Sequence, residues 1–267
     1  MENLGEKPKQ ERSIEKDKQS FIEAISAIPI EEIPTEFDES TCQNLATDLE
    51  KARLLILGEM HGVKENADII YTLFKRFGFR HLALEWEPEL KEVVEKFLMS
   101  GELDFDAIKD SPDGRITAGH FALIKKLKNE GLLEHVTCFD EGSGGGDWNK
   151  RDETMAKNIL ANLSNLPTLV VAGNLHVKIE PIAFDDEPGE HHPMGENVKK
   201  EISDVPTGEI EYLTGEFHNY GAKKFGELPE GGKLPNKAKF YRKENGLYVF
   251  ELPNAHLATV PDPDERS

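Results

Sequence analysis

The sequence predicts an α/β fold of three layers, in which a mostly parallel central sheet is flanked by helices and extended by a C-terminal β-hairpin. Short apolar runs alternate with amphipathic stretches of helical spacing, which is typical of strands connected by helices. Four of the apolar runs stop at polar residues, as buried strands do where they leave a sheet. A chain of 267 residues is long enough to build one large core around such a sheet.

The N-terminal end is expected to differ from the rest of the chain. Residues 1–18 are dense in Glu, Lys and Gln without periodic apolar positions, which predicts a disordered charged tail. Residues 19–260 are predicted to form a single α/β domain. Order is expected to begin near Phe21, in a helix that stops before Pro29, and a second short helix is expected over residues 45–52.

The remaining elements follow from periodicity and turn signals. Buried strands are expected at residues 54–57, 81–84, 135–139 and 169–172. Helices are expected at residues 65–77, 88–98, 118–129, 148–163 and 195–202, with a turn at 111–114. A further strand is expected at 209–214, followed by hairpin strands at 238–241 and 247–252 around Asn245-Gly246. The Gly-rich segment 142–146 lacks the ending of a phosphate-binding loop and is expected to be a lid or linker, and residues 180–193 are expected to be irregular.

Polar residues follow the four predicted strands in a repeated pattern. Gly58-Glu59-Met60-His61 ends the first strand, and Gly173-Asn174-Leu175-His176 ends the last. The two strands between them end at Glu85 and at Asp140. Because ligands of open α/β sheets bind outside the carboxyl ends of the strands, these side chains predict one site at that edge.

Composition argues against several kinds of partner. A formal charge of −19 argues against nucleic acid or an anionic membrane surface, since both are bound through clustered Lys and Arg. The N-terminal region has no apolar stretch of the kind found in signal peptides or membrane spans, so cytoplasmic residence is expected. Cys42 and Cys138 are the only cysteines, and no disulfide framework is expected.

The motifs together resemble a known superfamily. They are Gly58-Glu59-x-His61-Gly62, Glu85 after a strand, Arg151-Asp152-x-x-Met155-Ala156, Gly173-x-x-His176 and Met194-Gly195. Their order and rough spacing, over residues 54–202, resemble the erythromycin esterase, ChaN and Tiki superfamily. The resemblance implies an α/β fold but divides over chemistry, because the superfamily holds metal-free macrolide esterases, metal-dependent Tiki-type proteases and ChaN-type proteins linked to haem uptake. The short stretches between motifs argue against a bulky macrolide as substrate.

One hypothesis is a hydrolase of ester or amide bonds acting on a small molecule or peptide. His61 would be the general base on water, oriented by Glu59 or Glu85. Arg151, near a helix start at the polar edge, would stabilise the oxyanion, and His176 would assist as a second acid/base group or hydrogen-bond donor.

The same residues allow a second hypothesis, in which a divalent ion such as Mn, Zn or Co assists the reaction. His61, His176 and one of Glu59 or Glu85 would then form a site of two histidines and one carboxylate with open positions. The alternative from a different class is a non-catalytic haem- or metal-ligand-binding protein of the ChaN type, with His61, His176 or His191-His192 as axial ligands.

Other residues receive minor roles. Asp140, Met194 and Gly195 are predicted to shape the substrate pocket, although Asp140 could equally start the Gly-rich loop. Arg151 and Asp152 could also be a simple ion pair at a helix start. Among other polar residues, His120 is interpreted as a packed or surface helix residue and His191-His192 as solvated, and Glu87 is as likely to be solvated as to belong to the site.

Overall fold

The structure is a computed structural model and describes residues 9–111, 113–142, 146–184, 189–226 and 234–261, with side chains from residue 14 onward. Parts of several predicted segments therefore lie outside the described residues. These parts are residues 1–8 of the predicted tail, Pro112 of the predicted turn, residues 143–145 of the Gly-rich segment and residues 185–188 of the predicted irregular segment.

The described residues form helices and strands in an alternating order. The helices are α1 Lys9–Ala27, α2 Glu39–Ala52, α3 Asn66–Phe77, α4 Leu90–Ser100, α5 Ala118–Asn129, α6 Trp148–Asn162 and α7 Met194–Glu201, with a 3₁₀ turn at Phe105–Ala107. The strands are β1 Thr35–Phe37, β2 Leu54–Glu59, β3 His81–Leu84, β4 His135–Cys138, β5 Thr168–Gly173, β6 Ile182–Ala183, β7 Glu190–His191, β8 Thr207–Tyr212, β9 Gly215–His218, β10 Ala222–Phe225, β11 Ala238–Arg242 and β12 Tyr248–Leu252.

Eight of these strands form the central sheet, in the order β1-β11-β12-β8-β2-β5-β3-β4. All neighbours in the sheet are parallel except β11 and β12, which form the antiparallel C-terminal hairpin. The predicted fold class is confirmed: the sheet is mostly parallel, helices cover it, and the hairpin extends it.

Alternation along the central strands divides the core into two layers. In β2, Leu55 and Leu57 face a large cluster that includes residues of α1 to α5, whereas Leu54 and Ile56 face a smaller cluster built on α6 and α7. A strand buried on both faces has a continuous apolar sequence, which is why the apolar runs alone predicted β2 and β5 so clearly. No helix of the described residues is long and apolar enough to span a bilayer.

Several local features differ from the sequence prediction. The first helix begins at Lys9 rather than near Phe21, within the segment predicted as tail. Phe21 anchors this helix, with its ring centroid 5.8 Å from that of Phe105 and 6.2 Å from that of Phe121, and a helix anchored at one end extends at little cost per residue. The division into a tail and one domain over residues 19–260 stays a prediction.

Short strands account for the other differences. β1, β9 and β10 were not predicted, and the segment 180–193 contains the two-residue pair β6 and β7. Such strands of two to four residues are too short to show a period. β8 begins at Thr207, two residues before the predicted start, because it pairs with both β2 and β12 from that end.

Candidate active site

A cavity of about 460 Å³ opens at the carboxyl ends of the central strands. The strands β2, β5, β3 and β4 are parallel neighbours, so their carboxyl ends meet at one edge of the sheet. All of the residues predicted from strand ends line the cavity, together with Arg151 of α6; they are Glu59, His61, Glu85, Asp140, Arg151 and His176.

His61 lies beside two carboxylates. Its Nδ1 is 3.2 Å from Oε1 of Glu59, and its Nε2 is 3.7 Å from Oε2 of Glu85. A carboxylate can only accept a hydrogen bond, so the neutral imidazole carries its proton on Nδ1 and keeps a lone pair on Nε2. Burial acts to lower the pKa of His61, but the hydrogen bond with Glu59 and the charge of Glu85 outweigh it and raise the pKa above the ordinary value.

The close approach of His61 to β5 requires the absence of a side chain at Gly173. A Cβ at Gly173 would lie 2.9 Å from Nε2 of His61 and 3.3 Å from Cε1 of the same ring. The backbone N–H of Gly173 also donates to Oε2 of Glu85 at 2.7 Å. The glycine of the second Gly-x-x-His motif therefore makes room for the histidine of the first.

Glu59 is shared between two histidines. Its Oε2 is 3.8 Å from Nε2 of His120, and both of these buried atoms lack a hydrogen bond to the described residues. Burial acts to raise the pKa of Glu59, but the contacts with His120 and His61 lower it to about 2. His120 is packed in its helix, as interpreted, but it also belongs to the site. Its position on the apolar stripe of α5 with Leu123 and Leu127 is the signal that sequence reasoning passed over.

Arg151 connects the strand ends of β3 and β4. Its Nη2 donates to Oε1 of Glu85 and to Oδ2 of Asp140, each at 2.7 Å, and its Nε donates to Oδ1 of Asp140 at 3.0 Å. Burial acts to raise the pKa of Asp140, but Arg151 and Arg115 hold it below the ordinary value. Burial also acts to raise the pKa of Glu85, but electrostatic attraction to His176, His61 and the two arginines lowers it.

Arg115 is a second, partly buried cation that the sequence did not reveal. Its Nη1 donates to Oδ2 of Asp140 at 2.5 Å, and its Nε donates to Oδ2 of Asp113 at 2.6 Å. Asp113 and Arg115 both line the cavity, Asp113 within the predicted turn at 111–114 and Arg115 directly after it. An isolated arginine in a loop has no local pattern that marks it as part of a site.

His176 is held between Arg151 and Asp152. Nη1 of Arg151 is 3.2 Å from its Nε2, and Oδ1 of Asp152 is 2.8 Å from its Nδ1. An arginine can only donate, so Nε2 accepts and the ring proton is on Nδ1, where it is donated to Asp152. Arg151 and Asp152 therefore contact the two ring nitrogens of His176 and do not form the simple ion pair that was considered.

Met194 and Gly195 pack behind His176 and do not line the cavity, contrary to their predicted place in the substrate pocket. The N–H of Met194 donates to Oδ1 of Asp152 at 2.7 Å, and the N–H of Gly195 donates to the carbonyl of His176 at 2.8 Å. A Cβ at Gly195 would lie 2.5 Å from the carbonyl oxygen of Val177. The backbone at the start of α7 therefore packs closely against the loop that carries His176 and holds that residue in position.

His191 is buried, not solvated as predicted, because the pairing of β6 with β7 turns it inward. Its Nε2 is 3.4 Å from Oδ2 of Asp152, and its ring packs against Trp148 with centroids 5.4 Å apart. His192 remains partly exposed and has its Nδ1 2.9 Å from Oε2 of Glu196. Glu87, which the sequence left open, is exposed and also lines the cavity.

Two of the predicted metal ligands, Glu85 and His176, contact a cation of the protein itself. The Arg151 guanidinium is bonded to Glu85 and contacts His176, so it occupies the position where a cation shared by these two residues would lie. Within the described residues, a different group of Asp152, His176 and His191 brings its ligand atoms within 4.8 Å of one another. In this group Nδ1 of His176 is hydrogen-bonded to Oδ1 of Asp152, so a metal ion would have to displace the proton between them. Both ring nitrogens of His176 are engaged, so His176 would have to give up its contact with Arg151 to act as an axial ligand of haem.

Comparison with known proteins supports the fold. No family model matches the sequence, and no curated protein matches it either. Among solved structures, the chain is similar to a histidine-to-asparagine mutant of the erythromycin esterase EreC in its open conformation, with a TM-score of 0.59 and 12% identity over 84% of this chain and 96% of that chain. It is also similar to a Bacillus cereus protein, with a TM-score of 0.58 and 9% identity over 92% and 99% of the two chains. The predicted resemblance is therefore confirmed at the level of the fold.

Proposed function

We propose that this protein, whose fold is shared with an erythromycin esterase, hydrolyses an ester or amide bond of a small molecule or peptide without a metal ion. The observation that supports this most strongly is the pairing of Glu59 with Nδ1 of His61, which leaves the lone pair of Nε2 at the cavity. A histidine oriented by a buried carboxylate is a general base suited to activating water near neutral pH.

The reaction begins when Nε2 of His61 takes a proton from a water molecule in the cavity. The water oxygen then attacks the carbonyl carbon, and the carbonyl oxygen takes up the negative charge. When the tetrahedral intermediate collapses, the bond to the leaving oxygen or nitrogen breaks, and His61 returns its proton to the leaving group. Glu59 stabilises the imidazolium that exists between these two proton transfers.

The two arginines supply positive charge for the oxyanion. Arg151 has five N–H donors, of which four are directed to Asp140, Glu85 and His176, so one remains. Arg115 uses Nε and Nη1 for Asp113 and Asp140, and its Nη2 makes no hydrogen bond within the described part of the chain. In this proposal His176 is a positioning residue that fixes Arg151, rather than a second acid/base group.

The proposal is tested by measuring hydrolysis of naphthyl acetate after treatment with a metal chelator. We expect the chelated wild type to retain its kcat/KM and His61→Ala to lose at least about a hundredfold, which is the lower range of a general-base contribution. The matched control is His135→Ala, an exposed histidine at the opposite end of β4. Full activity in His61→Ala, or loss of activity on chelation, contradicts the proposal.

A further inference from the structure

Exposed apolar side chains cluster at the mouth of the cavity. Among the described residues, six large apolar side chains are exposed, and three of them line the cavity: Trp148 (46% exposed), Leu175 (41%) and Tyr220 (58%). They come from the start of α6, the loop after β5 and the turn between β9 and β10. Apolar surface gathered from separate segments around a polar cavity marks a place where a ligand is bound.

Trp148 is held in place before any ligand arrives. Its indole is stacked on the ring of His176, with centroids 5.9 Å apart and an interplanar angle of 22°. The edge of His191 packs against it at 5.4 Å and 79°. A ring fixed on two sides loses little conformational freedom when a flat group binds to its remaining surface.

Tyr220 is presented by a strained turn. It has a positive φ of 48°, a conformation that residues with a side chain adopt rarely and that is concentrated at functional sites. The turn is anchored beside His61, because the N–H of His218 donates to the carbonyl of Gly62 at 3.3 Å. The β9–β10 hairpin therefore holds Tyr220 in a defined relation to the proposed general base.

The floor of the cavity disfavours anions. Five carboxylate residues line it, Glu59, Glu85, Glu87, Asp113 and Asp140, against two arginines. Both arginines are paired with these carboxylates, and the donors that they keep are assigned to the oxyanion, so none is left for a ligand that carries its own negative charge. A ligand of negative charge would also approach a chain whose formal charge is −19.

We propose that the substrate is an ester or amide without negative charge that carries an aromatic or alicyclic ring. The ring binds against Trp148, Leu175 and Tyr220 at the mouth, and the carbonyl group extends inward to His61. This inference rests on the proposed function for the identity of the bond that is cleaved, but the recognition of the ring is a separate property of the mouth.

Binding to the His61→Ala protein measures recognition without turnover. The probes are naphthaleneacetamide, naphthaleneacetate, which has the same ring and a negative charge, and acetamide, which has no ring. Calorimetry at neutral pH is expected to show that naphthaleneacetamide binds at least about tenfold more tightly than either other probe. Glu87→Gln is expected to reduce the difference in affinity between naphthaleneacetamide and naphthaleneacetate, because it removes an exposed negative charge from the cavity wall.

Substitutions at the mouth identify the binding surface. Trp148→Ala is expected to weaken binding of naphthaleneacetamide about tenfold, and Tyr220→Ala several-fold, through loss of ring contacts. Met99→Ala is the matched control, since Met99 is the most exposed (83%) of the six large apolar side chains counted among the described residues and does not line the cavity. If Trp148→Ala disturbs folding, the affinity of Tyr220→Ala tests the inference instead, because Tyr220 lies in the β9–β10 turn and not in α6.

The outcomes separate this inference from the proposed function. The inference is overturned if naphthaleneacetamide does not bind or binds no more tightly than naphthaleneacetate. It is also overturned if the Trp148→Ala and Tyr220→Ala proteins bind naphthaleneacetamide as tightly as the Met99→Ala protein does. If the wild type binds naphthaleneacetamide as expected but hydrolyses no naphthyl ester, the proposed function fails and ring recognition stands. If it hydrolyses ethyl acetate as well as naphthyl acetate, the hydrolase proposal stands and the ring requirement is overturned.

Discussion

At the scale of single residues, Asp152 shows how a buried carboxylate can fix a site that it does not touch. It is fully buried and accepts hydrogen bonds from Nδ1 of His176 and from the N–H of Met194. Its neighbour Arg151, rotated by about 100° on the helix, contacts Glu85, Asp140 and the other ring nitrogen of His176. Because Asp152 accepts the hydrogen bond from Nδ1 of His176, Nε2 of the same ring is left as the acceptor that Arg151 contacts.

Replacing Asp152 by Asn is expected to cost about 1–3 kcal/mol in the free energy of unfolding, since the amide cannot satisfy both donors with the strength of a carboxylate. The matched control is Glu153→Gln on the exposed face of the same helix, where a change within about 0.5 kcal/mol is expected. Urea denaturation measures both. Equal stability of the two variants would remove Asp152 from this role.

Residue-level prediction from the sequence succeeded where a local pattern existed. Glu59, His61 and His176 follow apolar runs that stop at glycine, and this pattern placed them in the cavity. Arg115 has no such pattern, because its importance depends on long-range contacts with Asp140. Asp152 did have a signal, since it lies three, four and seven residues before Met155, Ala156 and Ile159 on the buried stripe of α6, where a charged side chain needs a buried partner.

At the scale of elements, the site depends on how closely neighbouring strand ends approach. The long apolar strands β2 and β5 were predicted because they are buried on both faces and border the site. The β9–β10 hairpin was not, although it supplies part of the cavity wall, because its strands are short and charged and show no buried period. Sequence periodicity therefore found the floor of the site but not its mouth.

The contact between β5 and His61 gives a prediction at this scale. Gly173→Ala is expected to lower kcat by about tenfold or more, because the new methyl group displaces the His61 ring from its position over β5. Gly146→Ala is the control, since a Cβ at Gly146 meets no atom within 4 Å and the variant should retain wild-type activity. Hydrolysis of naphthyl acetate by both variants measures the difference, and equal rates would contradict the packing argument.

At the scale of the whole molecule, the fold gathers buried charges at one edge of the sheet while two apolar clusters fill its faces. The clusters provide the stability that lets the edge retain carboxylates deep in the protein. Glu59, Glu85 and Asp140 all have lowered pKa values in the folded protein. Stability is therefore coupled to the ionisation of the site.

Acid should destabilise the protein in a defined window. The pKa of Glu59 falls from 4.5 to about 2 on folding. The contribution of Glu59 to the free energy of unfolding is therefore present above the pKa of the unfolded state and is lost as the pH falls through the pKa of the folded state. The free energy of unfolding in urea is expected to decrease between about pH 5 and about pH 2, and to decrease less steeply in Glu59→Gln. An identical pH dependence in the two proteins would show that Glu59 is not ionised in the folded state.

The central claim is that His61 is the general base and that Glu59 orients it, and the pH profile of kcat/KM tests this most directly. For the wild type, we expect activity to rise with pH through one ionisation above the ordinary histidine value, because only the neutral ring accepts a proton and its pKa is raised. In Glu59→Gln the rate should fall and the ionisation should move to lower pH, because the carboxylate that raises the pKa of His61 is gone. A profile whose ionisation is unchanged by this substitution would contradict the account.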